Sequence, residues 1–149
     1  MTLFLDIASI VTIGLMIGVE FAVSAFINPV LSRLDDRARL DAVRLFAARL
    51  GFAMPFWYCL GLLLLIAQTI LFRHQPQFAL LATADGLWIA VIVLTLVFLV
   101  PINNRMAQLS PDVPAREAFR EHAKWDAMHR LRVAVLTVAM VLFLIAIHV

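Results

Sequence analysis

Residues 124–149 read KWDAMHRLRVAVLTVAMVLFLIAIHV, and this stretch decides the fold. From Val133 to Ile147 it carries no charge, and with its polar start it is long enough to cross a bilayer, which needs about 20 apolar residues. Its opening is more polar than a membrane helix requires. At helical spacing Trp125, His129 and Arg132 fall at i, i+4 and i+7 and share one face. His122 extends that face outward by three residues. Ionisable groups at such depth are costly and usually face a bundle interior or a wet cavity.

Three further apolar runs precede this one, roughly residues 3–31, 52–72 and 78–102. The chain is 149 residues long, 64% hydrophobic, with a mean hydropathy of +0.98. A soluble domain is closer to half apolar. In lipid the backbone must satisfy its own hydrogen bonds, so the runs are helices. The expected fold is an all-α membrane protein, a single domain over residues 1–149. It is a four-transmembrane-helix bundle with cytoplasmic amphipathic connecting helices, the first over residues 32–50.

Charge placement orients the bundle. Arg33, Arg37, Arg39, Arg44 and Arg49 lie between the first and second runs; Arg105, Arg116, Arg120 and Lys124 lie between the third and fourth. The connection between the second and third has only Arg73. Positive residues stay inside, so both long connections are expected in the cytoplasm and both termini outside. A net charge of +2 is too small to suggest nucleic acid, so the partners expected are the lipid bilayer and a hydrophobic small molecule. Cys59 is the single cysteine and forms no internal disulfide. The first run has no basic flank and is too long for a secretory signal core.

The first run has two faces. Gly14, Gly18, Ala22 and Ala25 form a small-residue stripe that permits close helix approach and a homo-oligomer. Glu20, Ser24 and Asn28 form a second stripe nearly opposite. Glu20 lies about 16 Å of helix rise from Leu31, close to mid-membrane. Asn28-Pro29 and, in the third run, Pro101 read as helix ends or kinks. Pro101 delivers Asn103 and Asn104, which either cap the helix or donate to a ligand carbonyl. Phe52, Phe56, Trp57 and Tyr58 read as an interfacial aromatic belt, Trp88 as an outer anchor and Asp85 as a cap or outer-surface group. Asp126 and Arg130, at i and i+4, are expected to pair on a different face from His129.

Gly18-Val19-Glu20-Phe21-Ala22-Val23-Ser24 with Asn28-Pro29-Val30-Leu31, then Pro101-Ile102-Asn103-Asn104-Arg105, then Trp125, His129 and Arg132 occur in order along the chain. This set resembles the bacterial membrane family labelled domain of unknown function 1772, which is related to fungal anthrone oxygenases. The sequence departs from that pattern at His129, where many relatives have asparagine, and at Glu20, where an aromatic or apolar residue is common. The resemblance implies a compact four-helix membrane protein, here in a bacterial inner membrane. It also implies oxidation of an anthrone to a quinone by dioxygen, without metal or flavin.

The residues then suggest a pocket between the first, third and fourth helices for a hydroxyaromatic or quinone-type molecule. Glu20 or His129 would act as base and Arg132 would stabilise the oxyanion. Asn28, Asn103, Asn104, Trp125 and His122 would contact the substrate. Two other readings compete. Glu20 and Arg132 could form a structural ion pair with no chemistry. A glutamate in the first of four spans also fits a small-multidrug-type transporter, although the charge bias and long connections depart from that pattern. No metal site is expected, because His122 and His129 lie about 10 Å apart along one helix. The cofactor is otherwise unspecified.

Overall fold

The computed structural model describes residues 2–108 and 115–149, and every described element is helical. The chain builds α1 (Thr2–Ala22), α2 (Asn28–Leu31), α3 (Asp36–Leu71), α4 (Phe78–Leu94), α5 (Val100–Ala107) and α6 (Ala115–Ala146). Four lengths are long and apolar enough to span a membrane: Leu3–Leu31, Asp36–Leu71, Phe78–Met106 and Phe119–Ala146. The protein is an all-helical, four-span bundle. Part of the connection before α6, residues 110–114, lies outside the described residues.

The first and third spans do not end at the prolines expected to kink or end them, and each is disturbed just before its proline. A wide π-helical turn, Val23–Ile27, joins α1 to α2, and a second, Thr95–Leu99, joins α4 to α5. Each contains the residue four before a proline, Ala25 before Pro29 and Val97 before Pro101. Proline has no N–H for that carbonyl and crowds it with its ring. Widening the turn relieves the conflict, and such single turns cluster at functional sites. Pro55 behaves differently and sits within the regular helix α3.

The expected separate helix over residues 32–50 is instead the first part of α3. The helix starts at Asp35, whose carboxylate accepts the N–H of Ala38 at 3.0 Å, and continues unbroken to Leu71. Its 36 residues extend about 54 Å at 1.5 Å each. A hydrocarbon core is about 30 Å thick, so the arginine-rich beginning projects beyond it.

Two aromatic expectations are reversed in the packing. Trp88 is fully buried rather than an outer anchor; its indole N–H donates to the Tyr58 carbonyl at 3.1 Å. Gly61 makes room for it, since a Cβ there would lie 2.6 Å from Trp88 Cζ2. Tyr58 is buried too, whereas Phe52 and Phe56 remain exposed. Asp85 is not a cap, and it is partly exposed. It lies inside α4 and accepts the Thr69 hydroxyl at 2.6 Å. Among the described residues nothing packs against Gly14 or Gly18, because a Cβ at either would meet open space. Exposed apolar side chains on all four spans, among them Phe4, Phe52, Leu96 and Val138, form the lipid-facing surface.

Candidate functional site

Four polar side chains meet inside the bundle. Arg132 Nη2 donates to Glu20 Oε2 at 2.6 Å and to His129 Nδ1 at 2.8 Å. His129 Nδ1 is itself 3.1 Å from the same carboxylate oxygen. The Tyr58 hydroxyl donates to the other oxygen, Oε1, at 3.1 Å. Glu20, His129 and Arg132 are 2%, 1% and 7% exposed, so bulk water screens none of these contacts.

The backbone partner assigns one proton of the imidazole. Its Nε2 lies 3.0 Å from the Glu20 carbonyl oxygen, which can only accept, so Nε2 carries a proton. In the neutral ring Nδ1 is then an acceptor and takes the Arg132 bond. One residue therefore presents both its carboxylate and its backbone to His129. Burying a carboxylate and a guanidinium is tolerable only when they are paired and bonded this fully.

The last span holds the cluster through stacking. The Trp125 ring lies on His129 with centroids 4.6 Å apart and planes 11° from parallel. His122 stacks on Trp125 at 6.1 Å and 12°. The shared face expected for these four residues is present, and the expected Asp126–Arg130 pair forms at 2.8 Å. Asn28 is buried and donates to Asp126 Oδ1 at 2.6 Å, one step away from the cluster. Asn103 donates to the Ala47 carbonyl at 3.0 Å, passing so close to Gly51 that a Cβ there would sit 2.8 Å from its nitrogen. Asn104 is exposed and belongs to no part of the site.

A cavity of about 200 Å³ lies beside the cluster. Its walls come from the second and third spans, including Pro55, Tyr58, Cys59, Thr95, Leu96 and Asn103, with Trp125 and Arg132 of the fourth span as its floor. The expected pocket between the first, third and fourth helices is not where this space opens. Glu20 and His129 do not line it; they stand behind Arg132 and Tyr58. Pro55, Cys59 and Leu96 are exposed on the flank of the bundle, so the cavity opens sideways between two spans. A smaller void of about 40 Å³ lies among Asn28, Asn103, His122 and Trp125.

Arg132 is the one cationic residue on the larger cavity's wall, and its bonding is incomplete. Its Nη1 reaches Thr95 Oγ1 only at 3.4 Å, and its buried Nε has no partner. Its guanidinium carbon lies 5.6 Å from the Tyr58 ring centroid. A guanidinium with unused donors beside an apolar space is suited to an oxyanion or carbonyl oxygen on a flat ligand. Among the described residues, no three His, Cys, Asp or Glu side chains gather closely enough to hold a metal ion.

Tyr58 and Thr95 were missed from the sequence. Tyr58 is the chain's one tyrosine, and a phenol in a long apolar run needs a hydrogen-bond partner when buried. That need was the available signal. Thr95 gave none, since threonines in apolar helices commonly bond their own backbone, as Thr83 and Thr137 do here.

The fold and the site define a small all-helical, four-span membrane protein with a side-opening cavity floored by an arginine. The model of one family, anthrone oxygenase, matches residues 43–142, two thirds of the chain. The protein belongs to the anthrone oxygenase family. The matched residues include the whole cavity wall and exclude Glu20. Searches of curated proteins and of solved structures found no match.

Proposed function

We propose that the protein is an oxygenase that oxidises a small hydroxyaromatic compound, of the anthrone type, in the cavity between its second and third spans. The observation that carries this reading is the Arg132 cation on an otherwise largely apolar wall. The substrate's oxygen sits on that guanidinium, and its rings lie among Trp125, Leu96 and Pro55. An anthrone or its enol tautomer loses a proton to give a delocalised oxyanion. Arg132 is held ready for that charge by Glu20 and His129, so no reorganisation is needed as it develops. The electron-rich anion is the reductant and dioxygen the oxidant. Overall a ring methylene becomes a carbonyl, one oxygen atom of dioxygen enters the product, and the other leaves as water with the two hydrogens.

The cavity is below the ~300–1,000 Å³ typical of drug-sized ligands, which favours a compact, flat substrate. The arginine bias supports an orientation in a bacterial inner membrane with both termini outside and both long connections in the cytoplasm. Glu20 is already paired with Arg132 of its own chain, which weighs against a transporter that loads substrate on that carboxylate.

The test uses protein purified into lipid nanodiscs and supplied with an anthrone in air. Quinone formation with one dioxygen consumed per product is expected above the buffer rate, with Arg132→Gln reducing it to the buffer rate. Equal rates with and without protein would overturn the assignment.

A further inference from the structure

We propose that Tyr58 is a catalytic residue that relays the substrate's proton to Glu20. The proposal rests on the hydroxyaromatic reading above and adds the route by which such a substrate ionises. Any base must reach the cavity, and the two side chains whose chemistry suits a base, Glu20 and His129, do not line it. Tyr58 does, and its hydroxyl is bonded to Glu20 Oε1 at 3.1 Å. Apart from the Arg132 cation, it is the titratable side chain shared by the cavity and the carboxylate.

The geometry gives the relay a direction. Glu20 Oε2 is occupied by Arg132, while Oε1 receives only the phenol. As the O–H of the substrate's enol tautomer breaks, its proton forms a new bond to Tyr58 Oη. The proton formerly on Oη passes to Glu20 Oε1. Tyr58 ends neutral, as it began; Glu20 becomes a neutral acid; the electron pair of the broken bond stays on the substrate oxygen. No electron changes owner in this step.

Charge pairing makes the exchange favourable in a buried place. Before transfer the Arg132 cation is balanced by the Glu20 carboxylate. Afterwards it is balanced by the substrate oxyanion on the cavity side, where Arg132 lines the wall. The bundle interior holds one anion and one cation throughout, and an uncompensated buried charge never forms. His129 keeps its Nε2–H bond to the Glu20 backbone in both states and so holds Arg132 in place.

The test separates ionisation from oxidation. Protein in nanodiscs is mixed with an anthrone under argon, and the absorbance of the bound enolate is followed in a stopped-flow instrument. Wild-type protein is expected to form the anion rapidly. Tyr58→Phe removes one oxygen atom; it should bind the anthrone with affinity within about twofold of wild type but form the anion about 100-fold or more slowly, the scale of general-base catalysis. Glu20→Gln should be slowed similarly, and the double variant no more than the slower single one, since residues acting as a unit are not additive. Retained anthrone affinity shows that each variant is folded. Anion formation at the wild-type rate in Tyr58→Phe, multiplicative losses in the double variant, or no bound anion with wild-type protein would overturn the relay. Rapid anion formation without quinone on admitting air would leave the relay standing and overturn the oxygenase reading instead.

Discussion

Two polar regions lie within the spans, and they are built differently. At mid-bundle, Glu20, Tyr58, His129 and Arg132 join the first, second and fourth spans, with opposite charges in contact and a cavity alongside. Nearer the short turn of residues 72–77, Gln68 donates to Asp6 at 2.7 Å and Thr69 to Asp85 at 2.6 Å. There the bonds run pairwise between spans, no cation takes part, and neither of the cavities described above touches them. Gln68 Oε1 and Asp85 Oδ1 are left without partners. Polarity inside a membrane bundle therefore has two uses. The second region binds helix to helix, whereas the first converges charge beside a cavity.

Removing Arg132 should break this contrast most sharply. Arg132→Leu leaves the Glu20 carboxylate buried without its arginine, with an expected loss of about 3–5 kcal/mol in stability. Thermal unfolding in detergent measures it, and anthrone binding should vanish as well. Leucine at both Glu20 and Arg132 should restore most of the stability, because apolar replacement of a buried pair is often neutral or better. Binding should stay lost, which would separate the pair's structural value from its chemical one.

A smaller effect is expected in the packing that positions Tyr58. Gly61→Ala drives a methyl group into Trp88 and should destabilise the bundle by about 1–3 kcal/mol, the usual penalty of overpacking. Trp88 fluorescence and unfolding temperature would register it. The smallest effect should come from the other polar region. Thr69→Val breaks the bond to Asp85 and should lower stability by about 0.6 kcal/mol, the average for hydrogen bonds between membrane helices. Oxygen consumption with an anthrone should be unchanged. A loss of turnover at Thr69 would mean that the two regions are coupled and the distinction between them fails.

The sequence exposed one half of the candidate site and hid the other. The four apolar runs were legible because each exceeds what a bilayer requires. The face shared by Trp125, His129 and Arg132 was legible because it lies on one helix, where spacing alone sets direction. Tyr58 and Trp88 were misread for a common physical reason. An aromatic ring with a polar tip satisfies itself equally well at the membrane interface or in the interior opposite an acceptor. Only the partner decides, and the partners here, Glu20 and the Tyr58 carbonyl, come from other spans. The wide turns before Pro29 and Pro101 were hidden in the same way. Proline predicts a disturbed helix, but whether the chain stops, bends or swells depends on what is packed around it.

The sideways mouth between Pro55, Cys59 and Leu96 changes what concentration means for this protein. A ligand that enters there comes from among the acyl chains, not from the cytosol. Its supply is set by how strongly it dissolves in fat, so half-saturation belongs on a scale of molecules per lipid. Diluting the vesicles in buffer should then leave the rate per protein nearly constant, while adding empty lipid should lower it.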